Sequence, residues 1–167
     1  MKILILGGGG LIGQKLARSL AQRATLRGAD ITELVLADVT DPAPVDAPFT
    51  VTRTLCDIAD PASVAQCIDD KTDVIYLLAA IVSAQAEEDF DLGYKINMQG
   101  TINVLERCRA LKTRPVVVFT SSIAVFGGEV PQPYNDHSAL NPQISYGAQK
   151  AIGEIGERRV GKECGVW

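Results

Sequence analysis

Tyr146 and Lys150 stand four residues apart in Ser145-Tyr146-Gly147-Ala148-Gln149-Lys150, so on a helix they share one face. A lysine ammonium beside a phenol favours the phenolate, because an opposite charge stabilises the ionised form. A free tyrosine titrates near pH ~10 and is a poor base at neutral pH without such help. Taken alone, the pair also fits an ordinary solvated couple on a helix surface. Two further features change that balance. Thr120-Ser121-Ser122 comes directly off an apolar run and offers hydroxyls that can bind a substrate oxygen. At the other end of the chain, Gly7-x-x-Gly10-x-x-Gly13 follows a short apolar segment and opens a helical pattern, which is how a chain builds a dinucleotide site. One end holds a cofactor and the other moves a proton, the division expected of a hydride-transfer enzyme.

The glycines have separate tasks. Gly7 permits a tight turn, Gly10 lets the backbone approach a pyrophosphate, and Gly13 lets the helix pack close to the strand. The amides of the first helical turn, including Leu11 and Ile12, then face the phosphates together with the positive end of the helix dipole. Asp38 ends the second strand, 25 residues after Gly13. A carboxylate there accepts hydrogen bonds from the adenosine ribose hydroxyls and repels a 2′-phosphate, so the expected cofactor is NAD rather than NADP. The alternative for Asp38 is a solvated acid at a strand end. Asp57, in Cys56-Asp57-Ile58 after the third strand, is placed to meet adenine or, equally, to serve as a loop acid or helix cap.

The elements that must position these residues alternate. Strands are predicted at 2–6, 33–38, 49–55, 74–79 and 115–120, and helices at 11–23, from Pro61 to about 69, over 87–111, and from Tyr146 onward. Asp60-Pro61-Ala62-Ser63 reads as an N-cap followed by proline at the first helical position. Residues 41–48 and 127–142 read as loops. Alternating strands and helices predict an α/β fold, a doubly wound parallel sheet of the Rossmann type, with right-handed crossovers and the ligand at the carboxyl ends of the strands where sheet order reverses.

Composition narrows the function classes. Of 167 residues, 47% are apolar and 22% charged, the balance of a soluble globular domain. The net charge of −4 offers no basic surface to nucleic acid. The longest apolar run, residues 74–82, is too short to span a bilayer. The apolar run after Met1-Lys2 ends in glycines with no cleavage pattern, and so reads as a first strand rather than a signal peptide. Cys56, Cys67, Cys108 and Cys164 form no C-x-x-C pair, and His137 is the single histidine, so no metal site is expected. Unpaired thiols point to a reducing compartment, the cytoplasm.

With these motifs in place, the chain resembles the extended short-chain dehydrogenase/reductase family of NAD-dependent epimerases and dehydratases. The matching segments are the glycine run, Asp57-Ile58, Leu78-Ala79-Ala80, Asn97 in Ile96-Asn97-Met98-Gln99-Gly100-Thr101, Ser121-Ser122-Ile123-Ala124-Val125-Phe126-Gly127, and Tyr146-x-x-x-Lys150. The resemblance implies that Gly7, Gly10, Leu11, Ile12, Gly13, Asp38, Asp57, Ile58, Leu78, Ala79, Ala80, Asn97, Tyr146 and Lys150 serve NAD. It implies Tyr146 as general base, with Lys150 holding the nicotinamide ribose and lowering the tyrosine pKa. It further implies that Ser122 orients the substrate oxygen and that Asn97 organises the long helix and a water relay near Lys150. Ser83, after the fourth strand, would join Ser122 and Tyr146 as a substrate contact. Residues 80–87 and 145–154 look most like the subgroup that oxidises the four-carbon sugar acid D-erythronate to its 2-oxo acid with NAD. A nucleotide-sugar epimerase or dehydratase, or a catalytically silent NAD-binding fragment, are the alternatives. Family members often pair through their long helices, which implies a homodimer.

The resemblance covers residues 1–156. Chains of the family continue well beyond this length into a small substrate domain, so this chain is expected to stop short of it. Residues 157–167 carry two further glycines after Gly156 and few apolar positions. They are expected to be a non-helical tail unlike the family's continuation. The fifth strand is then expected to have an uncovered outer edge.

Overall fold

The computed structural model describes residues 1–129, 133–135 and 137–164, with side chains described as far as Gly156. Lys2–Leu6 forms β1, Leu11–Arg23 α1, Thr25–Leu26 β2, Ala29–Asp30 β3, Glu33–Asp38 β4, Thr50–Leu55 β5 and Pro61–Cys67 α2. Val74–Leu77 forms β6, Ser83–Glu88 α3, Phe90–Gly93 α4, Thr101–Ala110 α5, Val116–Phe119 β7 and Ser145–Cys164 α6. A π-helical turn over Tyr94–Gly100 joins α4 to α5, and a 3-10 turn over Ile123–Val125 follows β7.

Five parallel strands lie in the order β5-β4-β1-β6-β7. The chain builds outward from β1 in one direction through β4 and β5, then returns to continue through β6 and β7 on the other side. The expected doubly wound sheet is therefore present, and its reversal lies between β1 and β6. β1 is apolar after Lys2 because both its faces are covered. Leu4 and Leu6 pack with Val64 and Ile68 from α2 and its end, and with Val104 and Cys108 of α5. Ile3 and Ile5 pack with Ala17 and Leu20 of α1. Alternate residues of one strand thus hold two helical layers, and each fully buried Leu or Ile contributes roughly 2 kcal/mol. Asp60 caps α2 as predicted, accepting a 2.9 Å hydrogen bond from the Ala62 amide.

Three features differ from the sequence expectation. A small antiparallel hairpin, β2–β3, turns at Arg27 and Gly28, both with positive φ. Its two-residue strands are too short to show any period. The stretch expected as one helix over 87–111 is broken. Asp89 leaves helical geometry at φ −127°, and its carboxylate accepts from the Leu92 amide at 2.9 Å, ending α3 and starting α4. Finally, α6 continues through Gly156 and Gly161 to Cys164. Each glycine costs a helix about 1 kcal/mol, a penalty that neighbouring Glu, Arg and Lys, good helix formers, offset in part. Residues 165–167 of the expected tail lie outside the described residues.

β7 is an edge strand: no strand among the described residues pairs with its outer side, and Val116 and Val118 are exposed. Cys56 and Cys108 are buried and Cys67 is half-buried. Among the described residues no helix is long and apolar enough to cross a membrane.

Candidate functional site

A cleft of about 370 Å³ opens at the carboxyl ends of the strands, lined by Gly7, Gly10, Asp38, Asp57, Ile58 and Leu78-Ala79-Ala80, among others. Its floor is made by the splaying of two strands. The amides of Gly7 and Gly8 both donate to Ala37 O, and those of Leu78 and Ala79 both donate to Leu6 O, each at 2.9 Å. Gly7 sits at φ +91°, and a Cβ there would lie 2.7 Å from the Ala79 amide nitrogen. A Cβ on Gly13 would lie 2.2 Å from Gly7 O, so α1 can approach β1 only with glycine at that position. Gly10 differs: a Cβ there would meet only Gly7 O, at 3.4 Å, and otherwise points into open space. The protein has no internal need for that glycine; the space it leaves belongs to the cleft.

The start of α1 fits an anion. Gly10 is its N-cap and brings no side-chain cap, and the first α-helical hydrogen bond runs from the Gln14 amide to Gly10 O. The amides of Leu11, Ile12 and Gly13 therefore have no intrahelical partner. The side chains of Leu11 and Ile12 point to solvent rather than into the cleft, so these two residues can serve a phosphate only through the backbone. Asp38 closes the rim. One carboxylate oxygen accepts from the Gly9 amide at 2.9 Å and the other from the Val39 amide at 2.8 Å, which leaves lone pairs facing the cleft that Asp38 lines. Backbone amides at one end and a ribose-sized acceptor at the other fit a dinucleotide.

The second group of predicted residues lies past β7. Lys150 is 3% exposed, and its Nζ donates to Thr120 O at 3.1 Å. The ammonium lies 4.9 Å from the centre of the Phe119 ring and 5.9 Å from that of Tyr146. Burial lowers the Lys150 pKa from 10.5 to about 8, since desolvation penalises the charged form. Ser122 caps the 3-10 turn, its Oγ accepting from the Ala124 amide at 3.2 Å. That turn presses on α6 where a Cβ on Gly147 would lie 2.1 Å from Ala124 O, and Phe119 occupies the space a Cβ on Gly153 would need. The glycines of this helix are what let β7 and the Ser122 turn reach it. Tyr146 and Ser122 are half-buried, and Ser83 opens α3.

Asn97 is 1% exposed within the π-helical turn. Its Oδ1 accepts from the Ile81 amide at 2.9 Å, and its Nδ2 donates to Ile81 O at 3.2 Å and to Gln149 Oε1 at 3.0 Å. Its direct partners are thus the cleft wall and α6, not Lys150. His137 is exposed, in the loop before α6.

The model of the "NAD dependent epimerase/dehydratase family" matches residues 3–166. The chain belongs to that family. It is 48% identical over 159 residues to a D-erythronate dehydrogenase of Cupriavidus necator and 41% identical over 158 residues to one of Haemophilus influenzae, each alignment covering 93% of this chain. It spans about half the length of these curated relatives, 49% and 48%. Among solved structures, a nucleoside-diphosphate-sugar epimerase from Agrobacterium tumefaciens superposes with TM-score 0.91 at 38% identity, over 99% of this chain and 50% of that one. A variant of the uronate dehydrogenase from the same organism, solved in complex with NAD, superposes with TM-score 0.81 at 25% identity, over 98% and 57%. NAD is the cofactor of this epimerase/dehydratase family, and the cradle described above fits it.

Sequence reasoning missed two anchors of α6. Glu87 of α3 accepts from Ser145 Oγ at 2.6 Å and from the Tyr146 amide at 2.8 Å, which holds its exposed carboxyl below the usual range. This is a helix cap supplied from another helix, so no local pattern announces it; the only signal was that Glu87 closes the 80–87 segment. Gln149, between Tyr146 and Lys150, reads as a neutral helix residue until Asn97 is seen beside it.

Proposed function

We propose that this chain is the cofactor-binding part of an NAD-dependent dehydrogenase that oxidises a hydroxyl of a small sugar acid, D-erythronate or a close analogue, to the 2-oxo acid. The observation that carries this reading is the 48% identity to a D-erythronate dehydrogenase over 93% of the chain. NAD, when bound, supplies the acceptor for the hydride lost by the substrate carbon. The chain's own residues divide the rest. Tyr146 takes the hydroxyl proton, with Lys150 beside it on the same helix face. Ser122 holds the substrate oxygen beside Tyr146. Lys150 arrives at this task with a fixed position, set by its bond to Thr120 O and by the Phe119 ring. Ser83, at the start of α3, serves as a substrate contact.

A nucleotide-sugar epimerase is the second reading, supported by the TM-score of 0.91 to the nucleoside-diphosphate-sugar epimerase. The two separate in one assay. With NAD and D-erythronate, a dehydrogenase releases NADH into solution; an epimerase returns the hydride and releases none. Saturable NAD binding by calorimetry without NADH from any sugar acid or turnover of any nucleotide sugar would leave a silent NAD-binding module. Absence of NAD binding would sink all three readings.

Asp38 is expected to set the choice of cofactor. Asp38→Asn keeps an acceptor for the Gly9 amide but removes the charge that repels a 2′-phosphate. The ratio of NADP to NAD dissociation constants should fall about tenfold, equivalent to about 1.4 kcal/mol. An unchanged ratio in paired calorimetric titrations would remove Asp38 from this role.

A further inference from the structure

Gln149 is 3% exposed and reaches neither the cleft nor the Lys150 ammonium. Its Oε1 accepts from Asn97 Nδ2, while Asn97 grips both the amide and the carbonyl of Ile81, a residue of the cleft wall. The three groups form one continuous polar link between the wall of the cofactor cleft and the helix of Tyr146 and Lys150. The link is held in a slot cut for it. A Cβ on Gly93 would lie 2.9 Å from Gln149 Nε2 and 3.0 Å from the Ala86 Cβ, so a larger residue there would crowd the amide. The other end of the same 81–88 segment is tied to α6 by Glu87, through the Tyr146 amide. Helix α6 is therefore tied to the cleft wall through Gln149 and to α3 through the Tyr146 amide, one tie at each end of the turn that carries Tyr146 and Lys150.

We infer that Gln149 is a positioning residue: acting through Asn97, it keeps the cleft wall at Ile81 in register with Tyr146 and Lys150. Asn97 has two N–H groups, and both are used. Removing the Gln149 acceptor leaves one of them buried and unpaired, which costs the Asn97 amide its preference for the rotamer that holds Ile81. The effect passes to the cofactor cleft although Gln149 touches nothing in it. The inference depends on the dehydrogenase reading only for the purpose that this alignment serves.

The test replaces Gln149 with methionine, which has similar length and no acceptor of comparable strength, and follows amide hydrogen exchange by NMR. Exchange at the Ile81 amide is expected to quicken at least tenfold while the sheet amides of Ile5 and Leu36 keep their wild-type rates. NAD should bind about tenfold more weakly to the same variant. A merely structural role would change global stability and leave the Ile81-to-sheet ratio of rates unmoved. An unchanged Ile81 rate overturns the inference. Should the methionine variant fail to fold, Gln149→Glu decides, because it keeps an acceptor for Asn97: retained protection at Ile81 supports the link, and lost protection overturns it. Wild-type chain that shows no NAD-induced shift at Gly10 or Ile58 would refute the proposed function, while the Ile81 exchange rates would still decide the role of Gln149.

Discussion

Lys150→Met is expected to abolish turnover and at the same time stabilise the fold by about 2 kcal/mol at pH 7. The folded chain holds the Lys150 pKa near 8 against an ordinary value of 10.5. That gap corresponds to about 3 kcal/mol, less about 1 kcal/mol for the hydrogen bond to Thr120 O that methionine cannot make. The direction follows from proton counting. Below pH 8 the lysine is charged in both states, and the folded chain bears the full cost of burying the charge. Between pH 8 and 10.5 the unfolded chain keeps a proton that the folded chain has released, so wild-type stability rises through that window. The advantage of methionine should therefore be largest below pH 8 and give way above pH 10.5 to a deficit of about 1 kcal/mol, the hydrogen bond that methionine lacks. For a domain of this size a gain of about 2 kcal/mol raises Tm by roughly 5 °C. NADH formation should fall by about three orders of magnitude. Tyr146→Phe is the comparator: an equal loss of turnover with no pH-dependent gain in stability. A Lys150→Met protein less stable than wild type at pH 7, measured by thermal melting across pH 6–11, would show that the buried ammonium is not held at a cost.

Gly13→Ala and Gly10→Ala are expected to fail in different ways. The Cβ added at Gly13 lies 2.2 Å from Gly7 O, a backbone atom of the cradle itself. Neither atom can swing aside as a side chain can, so the clash costs at least ~3 kcal/mol. The melting temperature should drop by roughly 10 °C, and NAD affinity should fall more than a hundredfold as α1 moves off the sheet. The Cβ added at Gly10 makes no contact shorter than 3.4 Å. Gly10→Ala should therefore melt within 2 °C of wild type, on the order expected for a substitution without a clash, yet bind NAD weakly because the methyl group stands in the cleft. Melting curves and calorimetric titrations of the two variants side by side check this. Wild-type affinity in Gly10→Ala would mean that the pyrophosphate does not pass over that residue.

These contrasts show what a linear chain can disclose. The short apolar run of β1 and the period-3.6 pattern of α1 are local, and their bounds, 2–6 and 11–23, are those observed. The Asp60-Pro61 cap is local and was equally readable. The alternation of strands and helices implied a parallel sheet with a reversal, because crossovers run in one hand and short connections join neighbours. Local chemistry also marked Gly7, Gly10, Asp38 and Asp57, and the family resemblance marked residues 78–80; all of them line one cleft. The hairpin at Arg27-Gly28 escaped because its strands are shorter than one period, and the break at Asp89 escaped because a capping acid looks like any helix-surface acid until its neighbour's amide is placed.

Residue types and spacings along the chain were thus enough for the fold and for picking out residues that line the cleft and the Tyr146–Lys150 pair, since each rests on interactions between residues near in sequence or on a topology with few alternatives. Folding alone settled how that pair is held. Burial of Lys150 against Phe119, the trans cap from Glu87 to Tyr146, and the Ile81–Asn97–Gln149 link join residues 31, 59 and up to 68 positions apart. Desolvation and buried hydrogen bonding are properties of what surrounds a group, and those surroundings exist only once the sheet and its helices have packed.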